Sequence, residues 1–380
     1  VLRSERHWRA VLALLGFAAF VVAAQSEWPI RARTRAWLDN DGGSSIPIGK
    51  RVEIPTPLGL PPVPIPEDNP PTAETIALGR KLFFDPILSV DGTIACASCH
   101  DPKHGFADPK PVSTGVYGRK GKRNAMSILN AAYNHNQFWD GRARTLEEQA
   151  AGPVPNDLEF AHSLPGVERK LAARPDYVDL FAKAFGPGRI TFEKVAKSIA
   201  SYERTLVSGN SPFDRYFYGG DKTAMNDSAI RGLALYLNPS LRAANCVSCH
   251  RIDADYATFT EPRFHNTGVA VDPLSGEILD LGRYLITREE RLRGAFKTPT
   301  LRNIALTAPY MHNGSMKTLE EVVEFYFKGG RANPFLSADV PRPGVTDIPR
   351  DQQPQAIKDL VEFMKALTGE IPPGAGPPDD

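Results

Sequence analysis

Cys96-Ala97-Ser98-Cys99-His100 recurs later in the chain as Cys246-Val247-Ser248-Cys249-His250. Two thiols three residues apart can add to the two vinyl groups of one porphyrin, and the next imidazole then falls beneath the iron as its proximal ligand. The pair of motifs therefore reads as attachment of two covalent haem c groups. Cys-x-x-Cys alone also suits a redox disulfide or half a zinc site. Neither needs a His directly after the second Cys, and no thioredoxin-like βαβ pattern surrounds either copy. The four cysteines of the chain are consumed by the two motifs, so no disulfide staples the fold.

Two haems on one chain fit either a carrier or a catalyst. A carrier fills both axial positions of each iron, usually with a second His or a Met, whereas a catalyst leaves one iron open. Of the eight histidines, His7 lies in the N-terminal leader and His100 and His250 are proximal ligands. His104, His135, His162, His265 and His312 remain as sixth ligands, and counting them does not decide between the classes. His104 follows the first motif too closely to reach the far face of the same iron and is read as structural. His265 and His312 suit a propionate contact or a packing role, and packing is preferred.

The elements that must position these groups read as helices. Leu78-Gly79-Arg80-Lys81-Leu82-Phe83-Phe84-Asp85-Pro86 precedes the first motif, and Arg231-Gly232-Leu233-Ala234-Leu235-Tyr236-Leu237-Asn238-Pro239 precedes the second. Gly79 matches Gly232, Leu82 matches Leu235, Phe83 matches Tyr236, Phe84 matches Leu237, Asp85 matches Asn238 and Pro86 matches Pro239, the mark of an internal duplication. Thr145-Leu146-Glu147-Glu148 and Thr318-Leu319-Glu320-Glu321 are capping boxes, and 166–185, 191–208 and 352–368 carry helical spacing. No set of long alternating strands is present. The expected fold is all-α, two tandem haem domains with long loops.

The domain plan is a signal peptide at 1–24, a Pro-rich linker at 25–70, an N-terminal haem domain at 71–210, a C-terminal haem domain at 211–371 and a disordered tail at 372–380. Arg3, Arg6 and Arg9 precede an apolar run from Val11 to Ala24, shorter than the roughly 20 residues of a spanning helix, so the run reads as an export signal rather than an anchor. Export agrees with c-type attachment, and the mature protein is expected in the periplasm with no membrane association. Eight prolines between Pro55 and Pro71 make the linker extended chain on the surface. Lys plus Arg (45) nearly balances Asp plus Glu (44), which speaks against a nucleic-acid partner. A monomer or homodimer is expected.

Ser89 through Asp108, Arg123-Asn124-Ala125, Phe138-Trp139-Asp140-Gly141-Arg142, Leu146 through Pro153 and Thr300 through Tyr310 together resemble the bacterial dihaem cytochrome c peroxidase and MauG superfamily. The likeness covers about 70–370. It implies cytochrome c-like domains, a peroxide site at the N-terminal haem and an electron relay at the C-terminal one. By the same resemblance Gln149 and Glu159 form the distal polar pair, Glu159 moving a proton between the peroxide oxygens, and Pro153 crowds the sixth site. A carboxylate suits that role, since splitting the O–O bond needs a base and then an acid. Trp139 matches the tryptophan between the haems, and Asn124 with the carbonyls of Thr307 and Pro309 matches a calcium site of oxygen ligands.

Two departures refine the expectation. Relatives that need reduction before reacting carry a histidine in the loop matching Ser113-Thr114-Gly115-Val116-Tyr117-Gly118, whereas this loop has Val116 and Tyr117. The first haem is then open as made. The methionine ligand of the relay haem is replaced by Tyr326, as in MauG-type enzymes, with Met311 as the alternative ligand. A thioether raises the potential and suits a haem fed by a small cytochrome or copper protein; a phenolate does the opposite. The resemblance thus implies a periplasmic peroxidase using hydrogen peroxide and oxidising aromatic residues, chiefly Trp, of a partner protein through a high-valent dihaem state. The alternatives are a cytochrome c peroxidase fed by a small redox protein and a non-catalytic dihaem electron carrier.

Overall fold

The first helix, α1 (Ala73–Phe84), starts where Thr72 and Thr75 cap each other reciprocally. It belongs to a computed structural model that describes residues 43–238, 246–340 and 348–378. The leader 1–24, the linker up to residue 42, Pro239 and residues 379–380 lie outside them. Next come α2 (Leu146–Ala150), capped by the Thr145 side chain, then α3 (Leu164–Ala172), α4 (Pro175–Phe185) and α5 (Phe192–Glu203). The helical spacing over 166–185 therefore belongs to two helices, because Pro175 has no N–H to continue the first and sits well at the first position of the second. The second spaced stretch, 191–208, ends as a helix at Glu203 rather than at 208.

The second half holds α6 (Pro212–Phe217) and α7 (Asp227–Leu237), then α8 (Tyr284–Thr287), α9 (Leu319–Phe327) and α10 (Gln353–Lys365). The Thr318 box opens α9 as its sequence requires, the hydroxyl accepting from Glu321 N–H while the Glu321 carboxylate turns back. Among the described residues the one sheet is a two-stranded antiparallel ribbon, β1 (Phe264–His265) with β2 (Phe296–Lys297), pairing Phe264 with Lys297 and His265 with Phe296. The fold is helix-rich with long irregular connections.

The repeated segments build the same local structure twice. On α1, a Cβ at Gly79 would sit 1.9 Å from the Ser198 carbonyl oxygen of α5; on α7, one at Gly232 would sit 2.0 Å from the Asp359 carbonyl oxygen of α10. Each glycine lets two helix backbones touch where any side chain would push them apart. One turn further along, Phe83 packs on Tyr202 at 5.3 Å between ring centroids and Tyr236 on Phe363 at 4.9 Å. Phe83 also meets Phe106, and Tyr236 meets Phe259, at 6.3 and 6.2 Å. Phe106 and Phe259 share a left-handed backbone, φ 57° and 51°.

Residues Gly42–Asp380 form one compact unit. The described part of the linker is extended, as its prolines require, and firmly docked. Gly59 O accepts from Arg302 and from Ala257 N–H, Leu58 O accepts from Asn210 N–H, and buried Asn69 donates to Glu147 and to Lys197 O. The tail departs from the expectation of disorder over 372–378. Tyr202 OH donates to Ala375 O at 2.6 Å, and Arg80 donates to Gly376 O and Pro377 O, each at 2.7 Å. Proline and glycine leave these carbonyls unspent by local structure, so donors on α1 and α5 can take them.

Candidate functional site

Each Cys-x-x-Cys-His segment is a short 3-10 turn, Cys96–Ser98 and Cys246–Ser248. In both, the amides of the second Cys and of the His donate to the carbonyl of the first Cys: 3.1 and 3.0 Å in the first copy, 3.2 and 2.9 Å in the second. The turn gathers both thiols and the imidazole into one small neighbourhood. His100 Nδ1 lies 3.2 Å from Phe106 O, and His250 Nδ1 lies 2.9 Å from Phe259 O. A carbonyl at Nδ1 fixes the tautomer and leaves Nε2 as the ligating nitrogen. That arrangement fits a covalently held tetrapyrrole with an axial histidine, twice.

The second motif opens onto a cavity lined by Cys246, Cys249, His250, Met311 and Tyr326, which also reaches Trp139, Asn124 and Lys297. Tyr326 and Met311, the two expected sixth ligands, thus line the same cavity as the proximal histidine. Burial raises the Tyr326 phenol well above its usual range, and the Cys249 and Cys246 thiolates would add to that. Asn124, Thr307 and Pro309 lie on the same lining, and the Asn124 amide donates to Lys110 O at 2.9 Å and Asp108 O at 3.3 Å. The expected calcium ligands thus border one cavity, with the Asn124 Nδ2 turned to backbone carbonyls.

Trp139 is fixed from both ends. Its Nε1–H donates to Asn124 O at 2.9 Å, and its carbonyl accepts from Lys297 N–H at 2.7 Å. Neighbouring Asp140 is held by Arg123 at 2.7 Å and Arg142 at 3.0 Å, and Arg123 grips Asp280 with two nitrogens at 2.7 and 2.9 Å. His312, left without a firm role by the sequence, meets Trp139 edge-on at 6.4 Å and stacks on Phe296 at 3.7 Å and 15°. Burial pushes its imidazole down to about 4, against Asp280, so it is neutral at pH 7. Trp139, His312 and Phe296 form one row of rings.

Of the expected distal pair, Glu159 lies within electrostatic reach of the first motif. Burial raises the Cys96 and Cys99 thiols, and the Glu159 carboxylate acts on both, which puts it in their neighbourhood. Gln149 lies on α2 and Pro153 just beyond it; Pro153 O receives Asn156 N–H and Phe160 N–H, closing a tight turn that brings Glu159 round. Glu159 Oε1 accepts from Asn156 Nδ2 at 2.5 Å rather than from Gln149. Burial raises the Glu159 carboxyl above the usual carboxylate range, opposed by Arg142 and by the Asn156 bond.

The 113–118 loop is pressed against this acid. Val116 N–H donates to Glu159 O at 2.9 Å, and a Cβ at Gly115 would lie 2.1 Å from Leu158 O. Val116 is buried, and Tyr117 points outward at 65% exposure beneath the Arg119 guanidinium.

Three groups near the site escaped sequence reasoning: Asn156, Lys297 and the Glu261–His265 pair. His265 Nε2 meets Glu261 Oε1 at 2.7 Å and Arg263 meets Glu261 Oε2 at 2.5 Å, beside Cys249 Sγ at 3.7 Å. Despite burial, Arg263 and His265 hold the Glu261 carboxyl below its usual range. Only the i, i+4 spacing of Glu261 and His265 hinted at such a pair, and it lies outside a helix. Among the described residues no helix is long and apolar enough to cross a membrane.

Comparison with known proteins follows this geometry. The di-haem cytochrome c peroxidase family matches residues 73–223. The chain is 38% identical over 336 residues to the cytochrome-c peroxidase IdrP1 of Pseudomonas sp. (strain SCT), covering 82% of this chain and 86% of that protein. It is 37% identical over 309 residues to the methylamine utilization protein MauG of Methylorubrum extorquens, covering 81% and 82%. The crystal structure of a MauG-like protein associated with microbial copper homeostasis superposes with a TM-score of 0.71 at 33% identity, over 83% of this chain and 95% of that one.

Proposed function

The chain belongs to the di-haem cytochrome c peroxidase family of haem-dependent oxidoreductases, and within it we propose a MauG-like enzyme of the periplasm. It takes two electrons from aromatic side chains of a partner protein, tryptophan above all, and gives them with two protons to hydrogen peroxide, yielding two waters. The observation that carries this reading is that Tyr326 lines the same cavity as Cys246, Cys249 and His250.

Covalently attached at Cys96 with Cys99 and at Cys246 with Cys249, haem supplies the iron that accepts peroxide and stores the oxidising equivalents. His100 and His250 would hold the irons through Nε2, their Nδ1 atoms being engaged by the Phe106 and Phe259 carbonyls. Glu159 holds the proton that must pass between the peroxide oxygens, Asn156 fixes its carboxyl, and Gln149 and Pro153 shape the space above the first site. The buried Val116 and outward Tyr117 support a first site open to small molecules. Tyr326 would hold the second haem together with His250, and its phenol would favour the higher oxidation states. Trp139, with His312 and Phe296 against it, would be the conduit between the two halves. Asn124 with the Thr307 and Pro309 carbonyls would hold calcium through oxygen ligands. The repeated helix pairs support two tandem haem domains, 71–210 and 211–371, in a monomer or homodimer exported by its 1–24 leader.

A second reading, a peroxidase fed by a small cytochrome or copper protein, is favoured by Met311 in the lining of that same cavity. Electron paramagnetic resonance of the resting ferric protein separates them. One high-spin and one low-spin signal are expected, the low-spin one altered by Tyr326→Phe and untouched by Met311→Leu. The reverse pattern, together with steady consumption of peroxide by reduced cytochrome c, establishes the second reading instead.

A further inference from the structure

Lys297 is 4% exposed and lines the cavity that Cys246, Cys249 and His250 open onto, as does Asn134, which its Nζ meets. An ammonium withdrawn from water is costly unless an anion or several good acceptors meet it. Its contact is with Asn134 Oδ1 at 3.5 Å, the outer limit of a hydrogen bond, and no carboxylate among the described residues pairs with it. Burial acts alone on its pKa, lowering it to about 8, with no neighbouring acid to restore it.

The other charged groups on the same lining are already matched. Arg302 grips Asp214 at 2.9 and 2.8 Å and donates to Ala257 O and Gly59 O. Asp339 is held by Arg263 at 2.9 Å. His265 is engaged by Glu261, and the His312 ring stacks on Phe296. The wall therefore offers one cation whose counter-charge has to come from whatever fills the cavity.

A porphyrin carries two carboxylate arms, and one of them is the anion this site lacks. We propose that Lys297 is a positioning residue that binds a propionate of the tetrapyrrole attached at Cys246 and Cys249, and sets that group's reduction potential. The inference rests on the haem reading given above. A fixed positive charge near an iron favours its reduced state, and low dielectric strengthens the effect. The same residue donates its backbone N–H to Trp139 O at 2.7 Å, so the strand that carries the charge is tied by one backbone hydrogen bond to the segment that carries the indole.

The test uses the full-length protein carrying its haems. A pyridine haemochrome assay first counts covalent haem; fewer than two per chain in wild type overturns the haem reading itself. Spectroelectrochemical titration then follows each haem. Lys297→Met should lower the potential of the second haem and leave the first unchanged, while Lys297→Arg stays close to wild type. An unchanged potential in Lys297→Met overturns the proposal. If that variant does not assemble, redox-difference infrared spectra of wild type grown on lysine labelled with 15N at Nζ decide. Isotope-sensitive ammonium bands that move on reduction of the second haem support the contact, and their absence overturns it.

Discussion

Gly79 and Gly232 hold the same place in two helix crossings: a Cβ on either would lie about 2 Å from a facing carbonyl, 1.9 Å from Ser198 O in one case and 2.0 Å from Asp359 O in the other. Both glycines precede a Cys-x-x-Cys-His turn and stand four residues before the aromatic that packs behind it, Phe83 or Tyr236. The repetition in sequence is a repetition of contacts.

Each crossing should therefore fail on its own. Gly79→Ala forces α1 off α5 and Gly232→Ala forces α7 off α10, with an overpacking cost of about 1–3 kcal/mol or more at each. Chemical denaturation should show lowered midpoints for both variants. Haem counting with separate spectra of the two sites should show the first variant losing the first haem and the second losing the second.

Glu159 gives a kinetic expectation. Glu159→Gln keeps the size of the side chain and removes its exchangeable charge, so the rate of reaction with peroxide should fall by about 10²-fold or more, the haem spectra staying intact. In wild type, burial raises this carboxyl, so the acid limb of the pH–rate profile should stand above the ordinary carboxylate range and vanish in the variant. Asn156→Ala removes a bond that holds the carboxyl down, and should move the same limb further up. Stopped-flow mixing with peroxide across pH reads all three.

Glu203, at the end of α5, gives an equilibrium expectation. Burial pushes its carboxyl from 4.5 up to about 8, Arg204 opposing and Glu147 adding, and its Oε2 meets no hydrogen-bond partner among the described residues. A folded-state value above the unfolded one means that the folded chain keeps a proton the unfolded chain releases. This group's contribution is thus most favourable below 4.5 and is lost as pH rises through about 8. The slope from one such group is at most about 1.4 kcal/mol per pH unit. Glu203→Gln should flatten that decline, which urea midpoints of the holoprotein at acidic and alkaline pH would record.

How much of this was legible in the residues follows from the range of the contacts involved. The Cys-x-x-Cys-His turns close within five residues, and the Thr145 and Thr318 caps within four, so spacing alone specified them. The duplication was likewise readable, because the same close crossing demands glycine twice. Even Tyr326 was marked, its place on α9 following from a capping box and a helical period. Composition misled where it stood for structure: the Pro- and Gly-rich tail is held by Arg80 of α1 and Tyr202 of α5, both distant in sequence.

The rest was decided only when distant segments met. The cavity that Tyr326 and Met311 line together with His250 gathers residues from α9 and from separate loops. The pairing of Lys297 with Trp139, the His312 ring between Trp139 and Phe296, and the missing counter-charge of Lys297 all depend on loop closures across more than a hundred residues. A sequence states which side chains a turn or helix presents, because those contacts repeat with its period. Which buried charge ends without a partner depends on every segment that packs around it, and that is fixed by the tertiary fold.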